Sequence, residues 1–145
     1  EAADIRSSRF DSSSEVWSIT SYGELRRNGM EVEREIRLNP EHPHTAYVAE
    51  CFGDDTPTVA VSDYISAVPE MIQRWVGGRY IVLGTDGFGR SDTREALRSF
   101  FEIDTKNIVL AAISALEQEE RIATGTVDEV IDQLGIERKR VDKTR

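Results

Sequence analysis

Cysteine is almost absent from this 145-residue sequence, which contains a single one, Cys51. One thiol cannot form an internal disulfide, so a disulfide-rich secreted scaffold is excluded and a reducing compartment is expected. Long apolar runs are absent too, since no stretch approaches the roughly 18 residues that a membrane-spanning helix needs. The first four residues, Glu-Ala-Ala-Asp, lack the basic and apolar segments of a secretory signal. The sequence therefore predicts a cytoplasmic protein with no membrane partner.

Positive charge is also in short supply, because 18 Lys and Arg residues face 27 Asp and Glu residues, which gives a net charge of −9. Such an acidic chain repels phosphate backbones, and we expect no nucleic-acid partner. The hydrophobic share of 39% is ordinary for a folded protein of this size. We predict a single domain over residues 1–145, with a flexible charged tail from about residue 137.

Short β-rich runs alternate with helical stretches along the chain, which is typical of an α/β domain. Strands are predicted at residues 16–20, 58–62 and 80–83. Helices are predicted at residues 1–8, from 21, at 45–52, at 63–76 with Pro69 inside, from 92, at 106–121 and from 126. Capping residues indicate four of the helix starts, namely Ser21, Asp92, Thr105 and Thr126.

A glycine-rich loop after the third predicted strand is the most unusual segment, and it reads Gly84-Thr85-Asp86-Gly87-Phe88-Gly89-Arg90-Ser91-Asp92. Loops at the carboxyl ends of parallel strands often bind ligands, and the arginines Arg90 and Arg94 favour an anion. The spacing fits neither a dinucleotide fingerprint nor a phosphate-binding P-loop. We favour a structural turn, in which the glycines permit unusual backbone angles and Phe88 is buried.

The other side chains that could bind a metal or react, and the tryptophans, are expected to have structural or surface positions. His42 and His44 flank a proline with no third ligand at metal-binding spacing, so we expect a surface loop. The acidic run 117–120 is expected to be a solvated face. Three side chains are expected to be buried or to anchor the core or an interface: Cys51, Trp17 and Trp75. We predict no catalytic, cofactor-binding or metal-binding residue in this chain.

Several longer runs resemble the carboxyl-terminal domain of the homodimeric pyruvate dehydrogenase family, the first component of the pyruvate dehydrogenase complex. They lie at residues 16–29, 62–64, 83–92 and 100–104, in order and without large gaps. The most specific run is Gly-Thr-Asp-Gly-Phe-Gly-Arg-Ser-Asp at 84–92. More distantly, the loop and the helix after it resemble the last domain of transketolase. The resemblance implies a three-layer α/β domain with a mixed, mostly parallel sheet.

For function, the resemblance implies a fragment of a bacterial enzyme that uses thiamine diphosphate and magnesium to decarboxylate pyruvate. That enzyme passes the acetyl group to the lipoyl arm of dihydrolipoyl acetyltransferase. Its cofactor is held by two preceding domains, and their diphosphate signature, Gly-Asp-Gly followed by paired asparagines, is missing here. We therefore expect an inactive, cofactor-free piece with a role in structure and dimer assembly. Its partners would be the rest of the polypeptide, a second subunit and the acetyltransferase.

The same resemblance implies that the first strand of the domain lies upstream of Glu1, between the predicted strands at 16–20 and 58–62. Without it, both inner strand edges would expose unpaired backbone groups, so we expect the chain alone not to fold as a monomer. Two other functions remain open. The chain could be a stand-alone α/β module that senses a small anion at the glycine-rich loop, or a docking domain that recruits another component of the complex.

Overall fold

A computed structural model describes residues 14–138, which form helices around a small parallel sheet. The helices are α1 (Tyr22–Leu38), α2 (Tyr47–Phe52), α3 (Ala67–Glu70), α4 (Arg94–Phe100), α5 (Thr105–Gln118) and α6 (Thr126–Leu134), with a 3₁₀ turn at Gln73–Trp75. The strands are β1 (Thr58–Val61) and β2 (Tyr80–Leu83). The α/β class is therefore confirmed. The predicted helix at 1–8 and most of the predicted tail lie outside the described residues.

The two strands run parallel, with Thr58 opposite Tyr80 at one end and Val61 opposite Leu83 at the other. The chain between them passes through α3 and the 3₁₀ turn, which together supply the long crossover that a parallel pair requires. A single helix over residues 63–76 is therefore wrong, although a helix start near Pro69 is confirmed. Pro69 lies in the only turn of α3, where its missing amide costs little.

The predicted strand at residues 16–20 is wrong, because this segment forms neither a strand nor a helix. Trp17 instead packs edge-to-face against Phe52, with ring centroids 5.3 Å apart. Aromatic and β-branched residues favour strands only where a neighbouring strand accepts them. Among the described residues, no such neighbour lies beside this segment.

Helix α1 is continuous through Asn28 and Gly29, although asparagine and glycine both disfavour a helix interior. The Asn28 Oδ1 atom accepts a hydrogen bond from the Tyr47 amide at 2.9 Å and so helps to begin α2. Gly29 is buried beneath the Trp75 ring, and a Cβ at this position would overlap that ring. The two residues thus join α1 to α2 and to the 3₁₀ turn, and Trp75 is confirmed as a packing anchor.

All four predicted capping residues lie at or next to an observed capping position. One is exact, and the other three are off by one residue. Ser21 caps α1 as expected, because its Oγ atom accepts a hydrogen bond from the Glu24 amide at 3.2 Å. At the other three starts the capping positions are Thr93, Asp104 and Gly125, rather than Asp92, Thr105 and Thr126. Asp and Thr are comparable capping residues, so adjacent candidates cannot be ranked by type alone.

A buried hydrophobic cluster lies between α5 and α6, where Val109, Ile113 and Val130 are at most 1% exposed. Helix α5 also contacts both strands, which agrees with its nearly all-round apolar surface. Across residues 14–138, no helix combines the length and apolar character needed to cross a bilayer.

The acidic run at the end of α5 is not simply a solvated face, which corrects the prediction for residues 117–120. A Glu117 carboxylate oxygen accepts a hydrogen bond from the Val127 amide at 2.8 Å, at the start of α6. Glu119 accepts hydrogen bonds from the Arg79 amide, just before β2, and from the Arg121 side chain. These two carboxylates therefore connect α5 to both neighbouring elements.

Tyr80, at the start of β2, is half-buried, and its hydroxyl donates a hydrogen bond to the Pro69 carbonyl at 3.0 Å. Burial raises the pKa of the Tyr80 phenol well above its ordinary value of 10.0, and the nearby Tyr22 and Glu70 raise it further. The fold therefore accepts the neutral phenol and disfavours the phenolate. Stability that depends on this group is complete below a pH of about 10 and is lost above it.

We expect the free energy of unfolding to fall as the pH rises above about 10, and Tyr80→Phe to reduce that slope. The substitution also removes one hydrogen bond, which should cost about 1 kcal/mol at neutral pH. Urea denaturation of the full-length polypeptide that carries this sequence, at a series of pH values, measures both effects. Tyr64→Phe is the control for loss of one hydroxyl, because Tyr64 is 71% exposed. An unchanged slope in Tyr80→Phe would contradict the prediction.

Candidate functional site

The first half of the glycine-rich loop is bonded to the segment that follows β1. The Thr85 amide donates to the Tyr64 carbonyl at 2.9 Å, and the Thr85 hydroxyl donates to the Asp63 carbonyl at 2.9 Å. The Asp86 carboxylate accepts a hydrogen bond from the Ser66 amide, also at 2.9 Å. Asp86 is thus engaged in positioning the entry to α3.

At two of the three glycines in the loop, the geometry explains why the residue is glycine. A Cβ at Gly84 would lie 2.6 Å from the Ser66 amide nitrogen and 2.9 Å from the Tyr64 carbonyl oxygen. Gly87 has a φ of 125°, a backbone conformation that other residues rarely adopt. Gly89 differs from both, because a Cβ at this position would have no heavy atom within 4 Å.

The second half of the loop and α4 line an open pocket of about 500 Å³, which we call the arginine pocket. Its lining combines the buried side chains of Phe101 and Ile103 with exposed charged groups. The loop contributes Gly87, Phe88, Gly89, Arg90 and Asp92, and the other lining residues are Asp63, Thr85, Arg94, Leu97 and Arg98. Gly84 and Asp86 therefore support the loop, whereas the residues after them form the pocket wall.

The three arginines of the pocket lack acidic partners within residues 14–138, where no carboxylate lies within 4.0 Å of their guanidinium nitrogens. The Arg90 guanidinium lies over the Phe100 ring, 4.5 Å from its centroid. Asp92, which also lines the pocket, accepts a hydrogen bond from the Thr93 amide at 2.8 Å. The pocket therefore offers unpaired cationic side chains beside an apolar surface, an arrangement that suits an anion.

Phe88 is 78% exposed at the pocket, so its predicted burial is wrong. Gly87, with a φ of 125°, precedes this residue and Gly89 follows it, and the ring between them is exposed to solvent. The exposed ring adds apolar surface beside the arginines. Sequence reasoning cannot decide which way a ring between two glycines points, because neither neighbour restricts the backbone to one path.

We expect Phe88→Ala to change the free energy of unfolding by less than about 0.5 kcal/mol, since exposed substitutions rarely matter more. Phe101→Ala is the matched comparison, because Phe101 is 9% exposed. It should cost about 3–5 kcal/mol. Urea denaturation of the full-length polypeptide that carries each substitution measures the difference. A similar loss in the two variants would show that Phe88 packs against the fold.

The other candidate groups do not converge on a reactive centre. His42 and His44 lie in an exposed loop, as expected, with His44 Nε2 3.9 Å from a Glu35 carboxylate oxygen. Cys51 is a half-buried free thiol one helical turn after Tyr47. Among residues 14–138, no three His, Cys, Asp or Glu side chains are placed to hold a metal ion.

The sequence did contain a signal for one residue that was missed. Arg90, Arg94 and Arg98 are spaced by four residues, and α4 places the last two on one helical face. Extending the four-residue spacing of Arg90 and Arg94 by one more step would have identified Arg98. The apolar partners Phe101 and Ile103 follow α4 and gave no such periodic signal.

Comparison with known proteins identifies the family. Residues 1–104 match the family model described as the transketolase-like TK C-terminal domain. The pyruvate dehydrogenase E1 component of Pseudomonas aeruginosa is 46% identical over 140 residues, which cover 94% of this chain and 16% of that protein. The E1 components of Mycolicibacterium smegmatis and Escherichia coli K12 are 41% and 40% identical, over 97% and 98% of this chain and 15% and 16% of their own lengths.

The matches cover nearly all of this chain but only a small part of each relative. This chain spans about a sixth of the length of the curated relatives that it matches, while nearly all of its own residues are aligned. The loop and α4 lie inside the matched family model, and all of α5 and α6 follow it. Since the family model covers residues 1–104 of 145, the chain belongs to the family of transketolase-like C-terminal domains.

Proposed function

We propose that this chain is the carboxyl-terminal part of a pyruvate dehydrogenase E1 component and has a structural and assembly role there. Identities of 40–46% to E1 components, over 15–16% of their lengths, support this assignment. The observation that carries the structural role is the small sheet of the described residues, which has two strands of four residues each.

Both outer edges of this sheet are unpaired within residues 14–138. The Thr58 amide bonds the Arg79 carbonyl, and the Ser62 amide bonds the Leu83 carbonyl, so these residues face the other strand. Because backbone groups alternate between the two sides of a strand, those of Val59 and Val61 on β1 point away from β2. The backbone of Val82 faces away from β1 for the same reason.

A two-stranded sheet is rarely stable alone, and parallel sheets are normally extended and covered on both faces. Each unpaired backbone group that becomes buried costs about 1–3 kcal/mol. Pairing with a further strand from the rest of the enzyme removes this cost. The chain would thereby be held to the longer polypeptide and, through it, to a second subunit of a homodimer.

For the whole enzyme, the proposed reaction is decarboxylation of pyruvate and acetylation of a lipoyl group on dihydrolipoyl acetyltransferase, in the bacterial cytoplasm. Thiamine diphosphate with magnesium supplies the chemistry of such an enzyme. The described residues of this chain do not fit the magnesium ion of that cofactor, since no three metal-ligating side chains lie together among them. The cofactor is assigned to other parts of the enzyme.

The test compares the 145-residue chain with the full-length polypeptide that carries this sequence. The full-length protein should decarboxylate pyruvate when thiamine diphosphate and magnesium are added, and calorimetry should detect cofactor binding. The isolated chain should show neither, and it should form oligomers or aggregates instead of a monomer. A monomeric chain with one cooperative melting transition would contradict the structural role, and cofactor binding by that chain would contradict its predicted inactivity.

A stand-alone α/β module remains the second candidate, because the arginine pocket provides a possible anion site within this chain alone. The two functions differ in what they require of residues 1–145. A stand-alone module must fold by itself, so the same folding experiment distinguishes it from an enzyme fragment. A docking domain would instead retain the acetyltransferase in a pull-down with the isolated chain.

A further inference from the structure

We propose that the arginine pocket binds a small organic anion that carries an apolar, preferably planar, group. The pocket is distinct from the proposed structural role of the sheet edges. Its volume of about 500 Å³ falls within the range of roughly 300–1,000 Å³ that is usual for small-molecule sites. An inorganic phosphate would fill only a small part of this space, so a larger ligand is expected.

The anionic end of the ligand is recognised by Arg94 and Arg98. They lie four residues apart on α4, so their side chains leave the same helical face toward the pocket. Neither has a carboxylate partner within residues 14–138, which leaves their planar donor groups free to bind a carboxylate or phosphate in a bidentate manner. This cationic group stands out on a chain with a net charge of −9.

The lining also contains two acidic side chains, and they do not cancel the three arginines. Asp92 is engaged by the Thr93 amide, and Asp63 lies more than 4.0 Å from every guanidinium nitrogen of the pocket. Three arginines against two aspartates leave one net positive charge in the lining. A simple cation is therefore disfavoured.

The apolar end of the ligand is received by Leu97, Phe101 and Ile103. Phe101 and Ile103 are 9% and 5% exposed, so they present a fixed surface that is already part of the fold. Phe88 adds an exposed ring on the loop side of the same pocket. Aromatic rings pack favourably against planar groups, which is the reason to expect one on the ligand.

The experiment measures binding of phenyl phosphate and inorganic phosphate by isothermal titration calorimetry. It uses the full-length polypeptide that carries this sequence, with thiamine diphosphate and magnesium present in excess so that any site for them is filled. We expect phenyl phosphate to bind at least about tenfold more tightly than inorganic phosphate. Arg94→Ala and Arg98→Ala should each weaken phenyl phosphate by about tenfold, the effect of losing one charged hydrogen-bonding group.

Arg34→Ala is the matched control, since Arg34 is an exposed arginine of α1 that does not line the pocket. It should leave the affinity unchanged. Failure to bind phenyl phosphate, equal affinity for both probes, or binding that persists in Arg94→Ala and Arg98→Ala would each overturn the proposal. Decarboxylation of pyruvate is assayed separately, so the site and the proposed function can fail independently.

Discussion

Replacing Ile113 by alanine should destabilise the packing of α5 against α6 by about 2–5 kcal/mol, the range found when a buried isoleucine is truncated. Ile113 is 1% exposed and belongs to the cluster with Val109 and Val130. Removing three carbon atoms there leaves a cavity between two helices that cannot easily move together. Each 1.4 kcal/mol corresponds to about a tenfold change in the population of the open state.

Hydrogen–deuterium exchange of peptides from α5 and α6 measures this loss locally, whatever the length of the polypeptide that is studied. Amides of both helices should exchange at least about tenfold faster in Ile113→Ala. Ile36→Ala is the matched control, because it removes the same atoms from a side chain that is 38% exposed. Equal effects of the two substitutions would mean that the α5–α6 cluster does not stabilise this region.

Replacing Gly84 by alanine should separate the glycine-rich loop from the segment after β1. The new Cβ would lie 2.6 Å from the Ser66 amide nitrogen, which is backbone and cannot rotate away. Overpacking of this kind costs about 1–3 kcal/mol. The hydrogen bonds that Thr85 and Asp86 make to the same segment should weaken together, so the Ser66 and Thr85 amides should exchange faster with solvent.

Gly89→Ala is the control in the same loop, because no heavy atom lies within 4 Å of the new methyl group. It should change stability by no more than about 0.5 kcal/mol, and by restricting the unfolded chain it could even stabilise the fold slightly. The Ser66 and Thr85 amides could also exchange in both variants at the rates of the unmodified protein. That result would show that the loop does not need a glycine at position 84 to pack against the segment after β1.

Much of the fold could be predicted from the sequence because its signals are local. The strands at 58–62 and 80–83 are apolar β-favouring runs, and both are present within one residue. The cap at Ser21 and the left-handed glycine after α6, Gly135, are set by hydrogen bonding and backbone freedom within one turn. Such features depend on few residues, so the sequence alone can indicate them.

The features that were missed depend on what lies nearby in space. The segment at 16–20 has the composition of a strand, but no strand pairs with it among the described residues. Its Trp17 packs against Phe52 instead. The direction of Phe88 and the apolar lining of the arginine pocket follow from the path of a loop between two glycines. Neither is encoded in residue type or periodicity.

The carboxylates at the end of α5 have a consequence for the order in which the chain folds. Acidic side chains near a helix carboxyl terminus are repelled by the partial negative charge there, so an isolated α5 should fray at Glu117 and Glu119. Glu117 and its partner, the Val127 amide, are only 10 residues apart in the sequence. Glu119 and the Arg79 amide are 40 residues apart. The α5–α6 hairpin can therefore form early, and the last turn of α5 becomes fully ordered only when β2 joins it.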